Sequence, residues 1–143
     1  TGLHDTIKVW DISSQEQVAE FKQTGDINTI AINSEGTLLA TGSTENTIAL
    51  WYIASDGTVT QFKDLLQLNG EPRALAFSPD SQWLAGGGFS GFAYLWDVKS
   101  AQEMARIPHG ANAVTSVSFS LEGTQLLTVS RKVVRIWDIS AIP

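Results

Sequence analysis

Leu75-Ala76-Phe77-Ser78-Pro79-Asp80-Ser81-Gln82-Trp83-Leu84-Ala85-Gly86-Gly87-Gly88-Phe89-Ser90-Gly91-Phe92-Ala93-Tyr94-Leu95-Trp96-Asp97 is the stretch that decides the fold. Three short runs, one ending at Phe77, one around Leu84 and one ending at Trp96, are separated by clusters of Ser, Pro, Asp and Gly. Short runs with apolar positions at alternate residues make strands, and Gly, Pro, Asp and Ser between them make tight turns. Turns this short join antiparallel neighbours, so the segment reads as a meander of strands a, b and c.

The same layout recurs on both sides. Trp10, Trp51, Trp96 and Trp137 are spaced by 41, 45 and 41 residues. Each closes a strand-like run: Ile7-Lys8-Val9-Trp10, Ile48-Ala49-Leu50-Trp51, Ala93-Tyr94-Leu95-Trp96 and Val134-Arg135-Ile136-Trp137. Asp11, Asp97 and Asp138 follow three of them, and Tyr52 the other. Upstream, Ile30-Ala31-Ile32, Leu75-Ala76-Phe77 and Val117-Ser118-Phe119 each precede a turn, then a run carrying Leu39, Leu84 or Leu126. A fourth strand d is expected around Gln17–Phe21, Thr58–Leu68 and Glu103–Ile107. The longer middle interval places extra residues in Ala54–Leu68, as a longer c–d loop or an extended outer strand. A repeat this regular signals an array of one supersecondary unit.

Phe77-Ser78-Pro79-Asp80, Leu84-Ala85-x-Gly87 and the Trp-Asp ends resemble the WD40 repeat family. The resemblance implies an all-β fold of four-stranded antiparallel blades ringed about a central channel. The chain divides into a partial blade over 1–23 (strands c and d, with c at Thr6–Ile12), blades over 24–68 and 69–108, and a partial blade over 109–143. The last carries strands a, b and c, with c at Val133–Ile139. About three and a half blades form an incomplete ring, so a fragment of a longer chain is expected, with apolar faces left uncovered at both ends and further blades needed for closure. The family's blades often hold a hydrogen-bonded set of a d–a loop histidine, a strand-b hydroxyl, a b–c turn aspartate and the tryptophan. The aspartate position holds Asp5, Asn46, Gly91 and Lys132; Thr41 and Thr128 offer the hydroxyl where Gly86 cannot; His109 resembles the histidine but meets Lys132. Asp5, Trp10, Thr41, Trp51, Trp96, His109, Thr128 and Trp137 are therefore assigned structural roles, with water or backbone serving orphaned groups.

Composition narrows the function. The chain is 43% hydrophobic and 17% charged, which suits a packed core rather than disorder. A net charge of −6 argues against nucleic-acid and anionic-membrane partners, which need clustered Lys and Arg. Without cysteine there is no disulfide or thiolate metal site, which does not fix the compartment; a cytoplasmic setting is expected because no membrane-span, signal-peptide or N-x-Ser/Thr pattern is read. Gly86-Gly87-Gly88-Phe89-Ser90-Gly91 satisfies G-x-G-x-x-G, but a phosphate loop needs a helix next and the following run is a strand. A flexible b–c hairpin using glycine's positive φ is the expected reading. His4 and His109 lack metal-ligand spacing, no catalytic triad is implied, and Asp80, Glu35 and Glu122 read as turn residues. No cofactor, metal or catalytic residue is assigned. Trp83 is expected to pack laterally between blades.

What remains is the rim formed by the d–a and b–c loops, since loops on a rigid scaffold carry function. By the resemblance, His4, Glu45, Ser90 and Arg131 are frequent contact positions, and Asp26, Glu71, Arg73 and Asn112 open strand a beside them. Phe89 is the one large apolar side chain expected there. The leading expectation is a non-catalytic scaffold or sensing module binding other proteins or other domains of its own chain. A structural segment of a bacterial-type signalling NTPase, kinase or protease is the alternative, and a propeller enzyme ranks below both.

Overall fold

A computed structural model describes residues 4–65 and 68–142, with side chains within 6–62 and 68–142. The strands are β1 (His4–Asp11), β2 (Glu16–Thr24), β3 (Ile27–Ile32), β4 (Leu38–Ser43), β5 (Ile48–Ile53), β6 (Val59–Leu65), β7 (Pro72–Phe77), β8 (Trp83–Gly88), β9 (Phe92–Asp97), β10 (Glu103–Pro108), β11 (Val114–Phe119), β12 (Gln125–Ser130) and β13 (Val133–Asp138). They form four antiparallel sheets in chain order: β1-β2, β3-β4-β5-β6, β7-β8-β9-β10 and β11-β12-β13. Among the described residues there is no helix. The c–d connection over residues 54–58 matches its counterpart over 98–102. Against the following interval, the longer middle one has one extra residue each in β5 past its tryptophan, in β6, in the connection after β6 and in the b–c turn.

Three apolar clusters glue the sheets face to face. Trp51 joins Ile7, Leu39 and Ala49 between the first two sheets. Trp96 joins Leu50, Leu75 and Leu84 between the second and third. Trp137 packs against Leu95, Val114 and Leu126 between the third and fourth, where Trp83 also packs. Strands b and c of the two four-stranded sheets lie under neighbours on both faces, so β4, β5, β8 and β9 are buried almost throughout. That is why Leu84-Ala85-Gly86-Gly87 reads as a continuous apolar, small-residue run rather than an alternation. Apolar side chains stay uncovered on β1 and β3 (Trp10, Ile30, Ile32) and on β13 (Val134, Ile136).

The glycine-rich stretch corrects one expectation. Gly86, Gly87 and Gly88 are buried strand residues, and only Gly91, at φ 73°, supplies the left-handed turn. Close approach explains the other three: a Cβ on Gly87 would sit 2.5 Å from Val114 Cγ1, and one on Gly88 2.0 Å from Glu71 O. The strand β9 follows directly, so there is no helix N-terminus for a phosphate.

The Trp-Asp aspartates shape the c–d turns. Asp11 Oδ1 accepts from the Ser13 amide at 2.7 Å and the Ser14 amide at 2.9 Å. Asp97 Oδ1 accepts the Ser100 amide at 2.6 Å, and Asp138 Oδ1 the Ser140 amide at 3.0 Å. Where Tyr52 replaces the aspartate, Asp56 takes over, its Oδ1 accepting the Thr58 amide at 2.9 Å. Hydroxyl donation from Ser13, then the turn amides, holds the Asp11 carboxyl below the ordinary 3.8, and Ser140 does the same for Asp138. A carboxyl depressed on folding contributes stability above its unfolded pKa and loses it as pH falls through the folded value. Asp138→Ala is therefore expected to lower the melting temperature slightly at neutral pH, with the gap closing in acid well below 3.8. A gap that persists there would assign the effect to something other than the carboxylate.

Candidate functional site

The b–c turns and d–a connections gather at one end of the sheets and are tied main chain to main chain. The Thr44 amide donates to Asp26 O at 2.9 Å, and the Phe89 amide to Glu71 O at 3.2 Å. On the other side of each turn, Asn46 O accepts the Leu68 amide at 2.9 Å and Gly91 O the His109 amide at 2.8 Å. Asn46 and Gly91, at positive φ, stand where the family resemblance expects an aspartate, and their carbonyls rather than side chains make the link.

The polar set below the rim differs from sheet to sheet. Trp51 Nε1 donates to Thr41 Oγ1 at 2.8 Å, and Thr41 Oγ1 donates to Gln23 Oε1. Trp137 Nε1 donates to Thr128 Oγ1 at 2.9 Å, and His109 Nε2 lies 3.4 Å from Thr128 O. The His109 Nδ1, buried, has no partner among the described residues, and Lys132 is exposed. Gln23 was missed by sequence reasoning, yet Gln23, Leu68 and His109 each lie 28 residues ahead of a tryptophan, and that spacing was the available signal. In the third sheet the set has become apolar. Leu68 and Gly86 replace the polar pair, Tyr94 stacks on Trp96 (centroids 5.5 Å, planes 5° apart), and Trp96 Nε1 and Tyr94 OH are unpaired among the described residues.

On the rim itself one cluster stands out, built by a recurring backbone device. Strand a carries a bulge against strand b at the same place in three sheets, between Ile27 and Thr29, Pro72 and Ala74, and Val114 and Ser116. The residues left out of the pairing are Asn28, Arg73 and Thr115. A bulge re-aims its side chain, and here it brings Arg73 over the Phe89 ring, its Cζ 4.6 Å from the centroid. Arg73 also lies 3.7 Å from Glu71 Oε2, which accepts from Asn28 Nδ2 of the neighbouring sheet at 3.4 Å. Phe89 is 54% exposed. Exposed ion pairs contribute at most about 1 kcal/mol and an exposed cation–π contact about as much. The arrangement therefore orients side chains more than it stabilises the fold.

The other expected positions are not drawn in. Asp26, Glu45, Asn112 and Arg131 are exposed on the same end, without a mutual contact among the described residues. Ser90 is half-buried and its Oγ accepts the Phe92 amide at 3.3 Å, a turn role. The side chains of His4 and Asp5 lie outside what is described. Among the described residues no three of His, Asp and Glu cluster as metal ligands, and no helix is long and apolar enough to cross a membrane.

Four-stranded meanders stacked face to face, each seating its strand-c tryptophan on the preceding sheet, make this chain a run of WD40-type β-propeller blades. It belongs to the family described as a domain of unknown function, DUF7165, whose profile matches residues 5–136. Pre-mRNA-processing factor 19 of Oryza sativa subsp. japonica is 28% identical over 144 residues, covering 97% of this chain and 27% of that protein. MST50-interacting protein 11 of Pyricularia oryzae is 28% identical over 152 residues, covering 97% and 46%. A chain from the crystal structure of the mitotic checkpoint complex superposes with a TM-score of 0.82 at 19% identity, covering 96% of this chain and 44% of that one. The chain thus spans less than half the length of each of these relatives.

Proposed function

We propose that the chain is part of a non-catalytic protein-interaction module whose contact surface is the rim around Arg73 and Phe89. The observation that carries this is the cluster itself: an exposed aromatic ring, held under a guanidinium that a backbone bulge presents and a carboxylate shared between two sheets steadies. Arg and aromatic side chains supply most binding energy at protein interfaces, and an anchor fixed before contact loses little entropy on binding. The relative named as an interacting protein, and the neighbouring fold seen in a complex, support the same reading. A cytoplasmic setting and a place within a longer polypeptide are part of the proposal.

Phe89→Ala is expected to weaken capture of a protein partner by about 2 kcal/mol, some thirtyfold in Kd, while leaving the melting temperature unchanged. Arg73→Ala should weaken it less. Affinity purification with wild type and variants in parallel, quantified by mass spectrometry, is the check. Partners recovered equally with Phe89→Ala would reject this rim as the contact.

A further inference from the structure

A second feature lies beside the rim, in the cleft between β2 and the outer strands of the second sheet. It is open and has a volume of about 510 Å³. Gln23 forms one wall, and Thr47, Ala49, Trp51 and Gln61 line the other. The next cleft along shows what such a space accommodates. Ala49 and Tyr94 occupy equivalent positions, each two residues ahead of its tryptophan. Between the second and third sheets the Tyr94 ring fills the site, buried and stacked on Trp96. Beside Ala49 the corresponding place is open cleft among the described residues.

The vacant cleft also holds an unspent hydrogen-bond donor, and its direction is fixed by chemistry. The Trp51 indole N–H can only donate, and Thr41 Oγ1 accepts it. The Thr41 proton then goes to Gln23, which must present Oε1. Gln23 Nε2 is consequently turned away from Thr41; it is buried and unpaired among the described residues, in a side chain only 9% exposed. A buried amide without an acceptor costs about 1–3 kcal/mol, so an occupant bringing an oxygen is favoured. In the filled cleft the positions are reversed: Leu68 stands where Gln23 does, and the Tyr94 hydroxyl has no partner among the described residues.

We propose that the cleft seats a phenol ring, the side chain of a tyrosine offered by a protein partner, with its hydroxyl oxygen accepting from Gln23 Nε2. This rests on the protein-binding reading above and adds to it a second, chemically specific contact. The test uses the full protein and N-acetyl-tyrosinamide as the probe, followed by saturation-transfer NMR. Saturable binding is expected, with N-acetyl-phenylalaninamide about tenfold weaker for want of the hydroxyl. Ala49→Tyr, which supplies the missing ring from within, should abolish the signal. Should Ala49→Tyr lose its folded melting transition, Gln23→Met serves instead and should erase the preference between the probes. No signal from the tyrosine probe, a signal that survives Ala49→Tyr, or equal binding of both probes to wild type would overturn the proposal. The probe needs no partner, so failure here is separable from failure of the rim, which shows only in partner capture by Phe89→Ala.

Discussion

Trp96→Ala lowers stability by about 4 kcal/mol, the largest effect expected of any side-chain truncation in the chain. Trp96 is fully buried, and its ring is the centre of the cluster that holds the second sheet on the third. Truncation removes apolar area and also strips Tyr94 of its stacking partner. Trp10, 56% exposed, should cost far less. The more discriminating comparison is with phenylalanine. Trp51→Phe takes away the donor to the buried Thr41 oxygen, which keeps only its own donation to Gln23, whereas Trp96→Phe removes an indole N–H that already lacks a partner among the described residues. Leaving a buried partner unsatisfied costs more than deleting a lone donor, so Trp51→Phe should be the more damaging of the two. Urea denaturation followed by circular dichroism measures both, and the opposite order would contradict the hydrogen-bond account.

Gly91→Ala should destabilise by about 3 kcal/mol, from left-handed strain plus forced overpacking. At φ 73° any side chain is strained, and here the added Cβ would lie 2.0 Å from Gly110 O, an oxygen of the next d–a connection. Gly36 is the matched control. Its φ is 71°, with nothing within 4 Å of the position a Cβ would take, so Gly36→Ala carries only the strain, about 1 kcal/mol. The His109 amide, which donates to Gly91 O, should also lose hydrogen-exchange protection in the Gly91 variant. Equal losses from both glycines would show that the turn and the connection are not interlocked.

The four tryptophans and their flanking runs made the strands and their antiparallel order legible, because periodicity and turn residues are local properties. The observed ends differ only slightly: strand c was expected at Thr6–Ile12 and runs His4–Asp11. Contacts set by register were not legible. No residue type marks Arg73 as a bulge, since a bulge is a mismatch between two strands, and so its seat over Phe89 was not foreseen although both residues were named. Asn28 was missed for the same reason. The glycine run was read as a flexible hairpin because sequence shows glycine's freedom but not the Val114 side chain or the Glu71 carbonyl that takes the place of a Cβ. Gln23 escaped because a glutamine doing a histidine's work bears no family signature.

The main-chain ties across the rim have a consequence for how such a surface changes over time. Amides of Thr44, Leu68, Phe89 and His109 and carbonyls of Asp26, Asn46, Glu71 and Gly91 hold turns and connections together. Any residue but proline can supply an amide, and every residue supplies a carbonyl. Proline at the four donor positions is thus barred, while at the exposed Asp26 and Phe89 most other replacements leave the architecture intact, unlike at the buried Leu68 and His109 or at Gly91. Recognition and foldability are decoupled there, so drift can rewrite what the rim binds without first rebuilding what holds it up.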